Sequence, residues 1–307
     1  MVDINNTNDE IMCGYMVSAN RKKLWVKELR LLDILNSICE QLNIKYFLSF
    51  GSCIGAVRHN GFIPWDDDID IGMLRKDFEI LLEEGRELFP NDISIQFGIS
   101  EHGFDNLMRI RDVNTTGITS RELNLKGCKG AFIEIYCFDD VNNNLLRRFQ
   151  INALRIINKI ILERTNGEQI DNKSLRFVSR ILKKYNTEKL WRLYNSICQM
   201  QNNRNCTYVD TPIIPGYAKN DKHLFFKEDV IDTIKVPFEY TYAYIPKGYD
   251  RCLTTRYGNY MDLPPVESRG THHECVVFYD PNKPYIEYEG STEVKDFFNG
   301  DYSKSKL

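Results

Sequence analysis

The sequence has no run of about eighteen uncharged apolar residues, the minimum for a membrane-spanning helix. It has no CxxC pair: nine cysteines at irregular spacing argue for reduced thiols rather than a disulfide framework. Its opening, "MVDINNTNDEIMCGYM", lacks the basic and apolar regions of a secretory leader. Together these absences set the expectation of a cytoplasmic protein. No internal repeat or low-complexity tract stands out, and 42% hydrophobic with 27% charged residues excludes a disordered or fibrous chain. The 307 residues present can bury a full core, as one large domain or a domain with an appendage.

The net charge of -3 hides an asymmetry. From Leu145 to Trp191 eleven bases face four acids, so the rest of the chain is markedly acidic. A basic helical segment on an acidic protein suits an anionic membrane surface or polymer; the plainer reading is a solvated helical face.

Periodicity orders the elements. Ser18 to Asn43 reads as a helix, with Ser18 or Asn20 as its cap and apolar residues from Leu24 to Leu42. "KYFLSF" reads as a strand ending at a Gly51-Ser52 turn, and "DIDIGM" as the next strand. Arg75 to Phe89 reads as a second helix, stopped at Pro90. "ISIQFG", "NLMRIRD" and "AFIEIYCF" read as strands. From Asn144 to about Gln201 the pattern is helical, interrupted near Gly167 and Asn186, and the last third is turn-rich and aromatic. The expected class is α+β: a mixed-sheet core over 1–140, a basic helical insert over 141–205, and a mixed C-terminal part over 206–307 packing on the core.

The chemistry concentrates in "GSCIGAVRHNGFIPWDDDIDIGM", from Gly51. Asp66, Asp67, Asp68 and Asp70 repel one another unless a counter-ion or solvent intervenes. On a strand, Asp68 and Asp70 would share a face while Ile69 and Ile71 enter the core. Two carboxylates on a rigid edge suit magnesium, with manganese as the alternative, together with phosphate oxygens. A strand, a Gly-Ser turn, a short helix and Asp-x-Asp on the next strand is the layout of a nucleotidyltransferase-like core. Gly51 permits close backbone approach, and the amides after Ser52 can hold a phosphate. Such a core needs a third carboxylate on a neighbouring strand, and Glu134 in "AFIEIYCFDD" offers it.

The same run, "AVRHNGFIPWDDDID", resembles the signature of the LicD family. "RIRDVNTT", "AFIEIYCFDD" and "YGNYMDLPP" follow in the family's order, so the resemblance spans about Leu31 to His273. It implies a phosphotransferase that moves a phospho-alcohol, phosphocholine foremost, from a CDP-linked donor to a sugar of a surface glycan, capsule, lipopolysaccharide or teichoic acid precursor. CMP leaves, and the acceptor is a glycan or lipid-linked glycan rather than a nucleic acid. Peripheral contact with the inner membrane surface would suit such an acceptor. Asp68, Asp70 and Glu134 would hold the metal, one of them taking the hydroxyl proton. The family usually has Asp where this chain has Glu134, which makes that ligand the departure to examine.

Arg58, Arg109 and Arg111 are the cations available to clamp a diphosphate. Asp66 and Asp67 would orient His59 or sit in solvent. His59 reads as a phosphate contact or a structural hydrogen-bonder, and Trp65 as a stacking platform or a plug on the core. Tyr240, Tyr242 and Tyr244 read as part of a cage for a quaternary ammonium or as an ordinary strand face. His272, His273 and Cys275 have no partner pair at zinc-site spacing. Two other readings stay open: a nucleotidyltransferase modifying a small molecule or sugar, and a non-catalytic binding module, against which the intact Asp pair speaks.

Overall fold

The computed structural model describes residues 8–100, 103–119, 122, 127–167, 169–211, 224–270 and 276–288. A hairpin of β1 (Glu10–Met12) and β2 (Tyr15–Val17) leads into α1 (Ala19–Leu42). Ser18 Oγ accepts the Arg21 amide at 3.1 Å to start α1, and Asn43, with φ 52°, ends it in the left-handed region. Then follow β3 (Phe47–Leu48), α2 (Phe50–His59), β4 (Asp70–Leu74) and α3 (Arg75–Ile80). The turns to Leu88 continue α3, first as a π-helix and then as a 3₁₀ helix. Strands β5 (Ile93–Ser100), β6 (Gly103–Asp112), β7 (Thr116–Thr119) and β8 (Phe132–Val141) complete the first half.

The expected helical stretch is α4 (Leu145–Thr165), α5 (Lys173–Leu182) and α6 (Thr187–Cys198). Its breaks fall at Gly167 and at Asn186, whose side chain caps α6. After it come β9 (Tyr208–Asp210), β10 (Phe225–Phe226), α7 (Lys227–Val230), β11 (Thr233–Phe238), β12 (Thr241–Pro246), α8 (Tyr249–Tyr257) and β13 (Val276–Asp280). The chain is thus α+β with a mixed sheet. No described helix is long and apolar enough to cross a membrane.

Strand β8 is the hub of a seven-stranded sheet. It pairs parallel with β4 and antiparallel with β6 and β9; β3 extends the sheet beyond β4, β10 beyond β9, and β5 beyond β6. Residues from the last third, in β9 and β10, therefore complete the sheet begun in the first. Helix α1, β4, β8 and the β11–β12 hairpin share the main core. Gly72 lies where a Cβ would run into the rings of Phe47 and Phe138, so β4 can be flanked by both aromatics only with glycine there. A second cluster, centred on Leu154, Ile160, Leu190 and Tyr194, joins α4 and α6 to Phe104 of β6.

Two local expectations need correction. The strand at "KYFLSF" is only Phe47–Leu48, because Phe50 already opens α2; Gly51 and Ser52 lie in its first turn. Strand β4 starts at Asp70, so Asp68 precedes the strand and does not alternate along it, although Ile69 and Ile71 are buried as expected.

Candidate metal-assisted transfer site

The acidic run is pinned from several sides. Trp25 of α1 donates Nε1–H to the Asp66 carbonyl at 3.0 Å and stacks on Phe62, ring centroids 4.7 Å apart. Ser52 Oγ accepts the Asp70 amide at 2.8 Å, and the Ser49 amide donates to the Asp70 carbonyl at 2.8 Å, tying α2 to the start of β4. Gly51 stands where a Cβ would come within 2.7 Å of Asp66 Oδ2, so glycine leaves room here for a carboxylate of the chain itself. Sheet register does the rest. Asp70 of β4 is the direct partner of Glu134 of β8, which is in turn the partner of Arg109 of β6.

Carboxylate oxygens of Asp68, Asp70 and Glu134 lie within 4.8 Å of one another. Burial, followed by the neighbouring charges of Asp70 and Asp66, pushes the Asp68 carboxyl well above its usual range. The Asp70 carboxyl is pushed the same way by burial and then by Glu134, while Arg256 works against the rise. Asp70 Oδ1 and Ser49 Oγ are buried without a hydrogen-bond partner among the described residues. Glu134 has its carboxylate fixed on both sides: Arg109 Nε donates to Oε1 at 2.8 Å and the Tyr136 hydroxyl donates to Oε2 at 2.7 Å. A carboxylate has about four lone-pair positions, so these two bonds leave room for a cation. Three converging hard oxygens, one of them orphaned, fit a magnesium- or manganese-sized ion.

Asp66 and Asp67 are not in solvent. Both are buried; Asp67 Oδ2 accepts the Val276 amide of β13 at 2.9 Å, and burial with the Asp67 charge raises the Asp66 carboxyl to about 7. They turn inward because β13 and α1 close over the loop. His59 accepts a hydrogen bond from Arg58 Nε at 2.9 Å, and burial, then the Arg58 charge, lowers it to about 4. Trp65 is buried, edge-on to Tyr15 and His59 with Arg269 over its face, the arrangement of a plug.

Of the three arginines named from the sequence, the structure brings Arg109 against the carboxylates, where Asp105 at 2.5 Å and Glu134 share its guanidinium. Burial opposes its charge, but those carboxylates outweigh burial and hold it firmly protonated. Arg111 is fully buried, donating to Gln96 and Gly130 and paired with Glu122. Arg58 reaches the carbonyls of Tyr260 at 2.7 Å and Asp262 at 3.1 Å, and so anchors the chain after α8. Both hold protein, where the sequence suggested phosphate. Lys235 sits over the Tyr242 ring, 3.2 Å from its centroid, and Tyr242 donates to Glu40; an internal cation already occupies the ring face that a caged ligand would need. Tyr240 is exposed at the hairpin turn, and Tyr244 meets Tyr46 edge-on. His272, His273 and Cys275 lie outside the described residues.

Sequence reasoning missed two residues. Tyr136 lies two positions beyond Glu134 on β8 and so shares its face, a signal present in the spacing. Arg256 of α8 acts on Asp70 and lies over Phe50, its guanidinium carbon 4.2 Å from the ring centroid. It immediately precedes "YGNYMDLPP" but shows no local pattern.

An Asp-rich loop at the start of a central strand, a third carboxylate in register on the next, and cations behind them form a carboxylate cluster able to hold a divalent cation. Comparisons with known proteins give similar sequences that are named as transferases. Residues 43–150 match the family described as LicD/FKTN/FKRP, nucleotidyltransferase domain. Over 270 residues, 82% of this chain and 97% of the relative, the chain is 29% identical to the lipopolysaccharide cholinephosphotransferase LicD of Haemophilus influenzae. A shorter stretch of 40 residues, 13% of this chain and 8% of the relative, is 42% identical to the ribitol 5-phosphate transferase FKRP of mouse and of human. The chain is thus similar to proteins of the LicD kind, and the relatives named here are a cholinephosphotransferase and a ribitol 5-phosphate transferase.

Proposed function

We propose that this protein transfers a phospho-alcohol, phosphocholine first, from a CDP-linked donor to a sugar hydroxyl of a surface glycan or teichoic acid precursor, as a cytoplasmic step. The observation that carries the reading is the convergence of Asp68, Asp70 and Glu134 within 4.8 Å, in a chain similar over most of its length to a cholinephosphotransferase. These three would hold a magnesium or manganese ion. When bound, the ion would offset the charge of the donor's diphosphate.

The chain's own residues supply position and charge. Ser52 fixes the Asp70 backbone, and Tyr136 with Arg109 fixes the Glu134 carboxylate. Arg109, paired with Glu134, and Arg256, acting on Asp70, set positive charge beside the acidic cluster. The acceptor oxygen attacks the phosphorus bearing the alcohol, the bond from that phosphorus to the CMP oxygen breaks, and CMP carries the electron pair away. One of the carboxylates accepts the hydroxyl proton. Orientation and charge compensation contribute more here than covalent chemistry.

The test is CMP release from a panel of CDP-alcohols with and without magnesium, alongside thermal shifts with CDP-choline, CTP and CMP. Metal-dependent CMP release and preference for a CDP-alcohol support the proposal. Preference for CTP with nucleotidyl transfer would replace it, and indifference to every nucleotide would mark a binding module.

A further inference from the structure

Helix α5 carries more apolar surface than the fold covers. Leu175, Val178 and Leu182, at spacings of three and four, pack against the cluster formed by α4 and α6. Phe177 and Ile181 lie one turn apart and are 63% and 53% exposed; Tyr185, beyond the end of α5, is exposed as well. Residues four apart on a helix stand one above the other, so Phe177 and Ile181 form an outward stripe distinct from the packed one. Arg176 and Arg180, with the same spacing, run beside it on the helix, Lys184 follows in the turn after α5, and all three are exposed. Lys173 and Lys183 add to these bases, and no acid falls between Asn172 and Thr187.

A helix whose outer face is merely solvated is polar there. An apolar stripe rimmed by bases on an exposed helix is instead the pattern of a helix lying in a lipid–water interface. Charge decides the occupant. Five bases without an acid, on a chain whose remainder is net acidic, match a surface of dense negative charge, and the aromatic and aliphatic side chains beside them need an apolar layer under it. Another copy of this chain would present its own bases to these.

We propose that α5 docks this protein on an anionic lipid surface, with Phe177 and Ile181 inserted below the headgroups and Arg176, Arg180 and Lys184 against lipid phosphates. The proposal stands apart from the transfer reading, because neither nucleotide nor glycan enters its test. The full chain is sedimented with vesicles of phosphatidylcholine alone and of phosphatidylcholine mixed with phosphatidylglycerol, across a salt series. Wild-type protein should bind the anionic vesicles and detach as salt rises. Arg176→Gln with Arg180→Gln should weaken binding roughly thirtyfold. Phe177→Ser with Ile181→Ser should weaken it about tenfold or more even at low salt. All four side chains are exposed, so circular dichroism and melting temperature should match wild type. If the serine pair fails to fold, the glutamine pair alone decides. Absence of vesicle binding, equal binding to neutral and anionic vesicles, or a folded double variant that binds as wild type does would each overturn the proposal. So would a wild-type protein that ignores vesicles but dimerises through this stripe.

Discussion

Replacing Asp70 by Asn should make the metal-free protein more stable while removing its response to metal. Oxygens of Asp68, Asp70 and Glu134 approach within 4.8 Å. At an effective dielectric of about 20, two full charges at that distance repel by about 3.5 kcal/mol. The real relief is smaller, because Arg109 already neutralises Glu134 and the carboxyls of Asp68 and Asp70, pushed upward by burial and then by neighbouring carboxylates, hold protons more readily. About 1–2 kcal/mol remains, a rise in melting temperature of about 1.5–3 °C for a chain of this size. Asn keeps the volume and can donate where Oδ1 now lacks a partner, which favours the same sign. Magnesium at about a hundred times its dissociation constant should stabilise wild type by about 2.7 kcal/mol and the variant much less. The two proteins should therefore exchange rank: the Asp70→Asn variant ahead without metal, wild type ahead with it. Differential scanning fluorimetry with EDTA, magnesium and manganese reads the exchange, and CMP release should fall at least about a hundredfold. A variant that melts lower in EDTA, or gains as much from magnesium as wild type, would refute the assignment of Asp70.

Glu134→Gln should lower CMP release by about a hundredfold or more, whereas Glu134→Asp should keep measurable activity and change the ratio of magnesium- to manganese-supported rates. Undiminished turnover by the Gln variant would leave Glu134 as a partner of Arg109 and Tyr136 only. Ser52→Ala removes the acceptor of the Asp70 amide and should cost about 1–3 kcal/mol in urea unfolding, with a loss of turnover larger than the loss of folded protein explains. Cys39 and Cys252 are buried, and burial pushes their thiols up to about 12, so iodoacetamide at neutral pH should label exposed Cys13 and spare both until the protein unfolds. Mass spectrometry of the labelled peptides checks the order, and early labelling of Cys39 would contradict the core described for α1.

What the sequence determined by itself was local. Ser18 and Asn43 bound α1 because a cap hydroxyl and a left-handed asparagine act within one turn of the helix. Gly167 and Asn186 marked the breaks between the middle helices for the same short-range reason, and Ile69 and Ile71 announced the buried side of the Asp-bearing segment. The acidic run and its Gly-Ser neighbour stood out as a candidate site from composition and spacing. Only the tertiary structure aligned Asp70, Glu134 and Arg109 across β4, β8 and β6, since strand register is set by pairing between segments far apart in the chain. It also decided that Asp66 and Asp67 turn inward, that Arg58 and Arg111 hold protein, and that Arg256 comes back to Asp70 from α8. A charged side chain looks the same in a sequence whether it faces water, a partner or a substrate. Which of these it meets depends on the neighbours that folding delivers, and those lie beyond the reach of any local pattern.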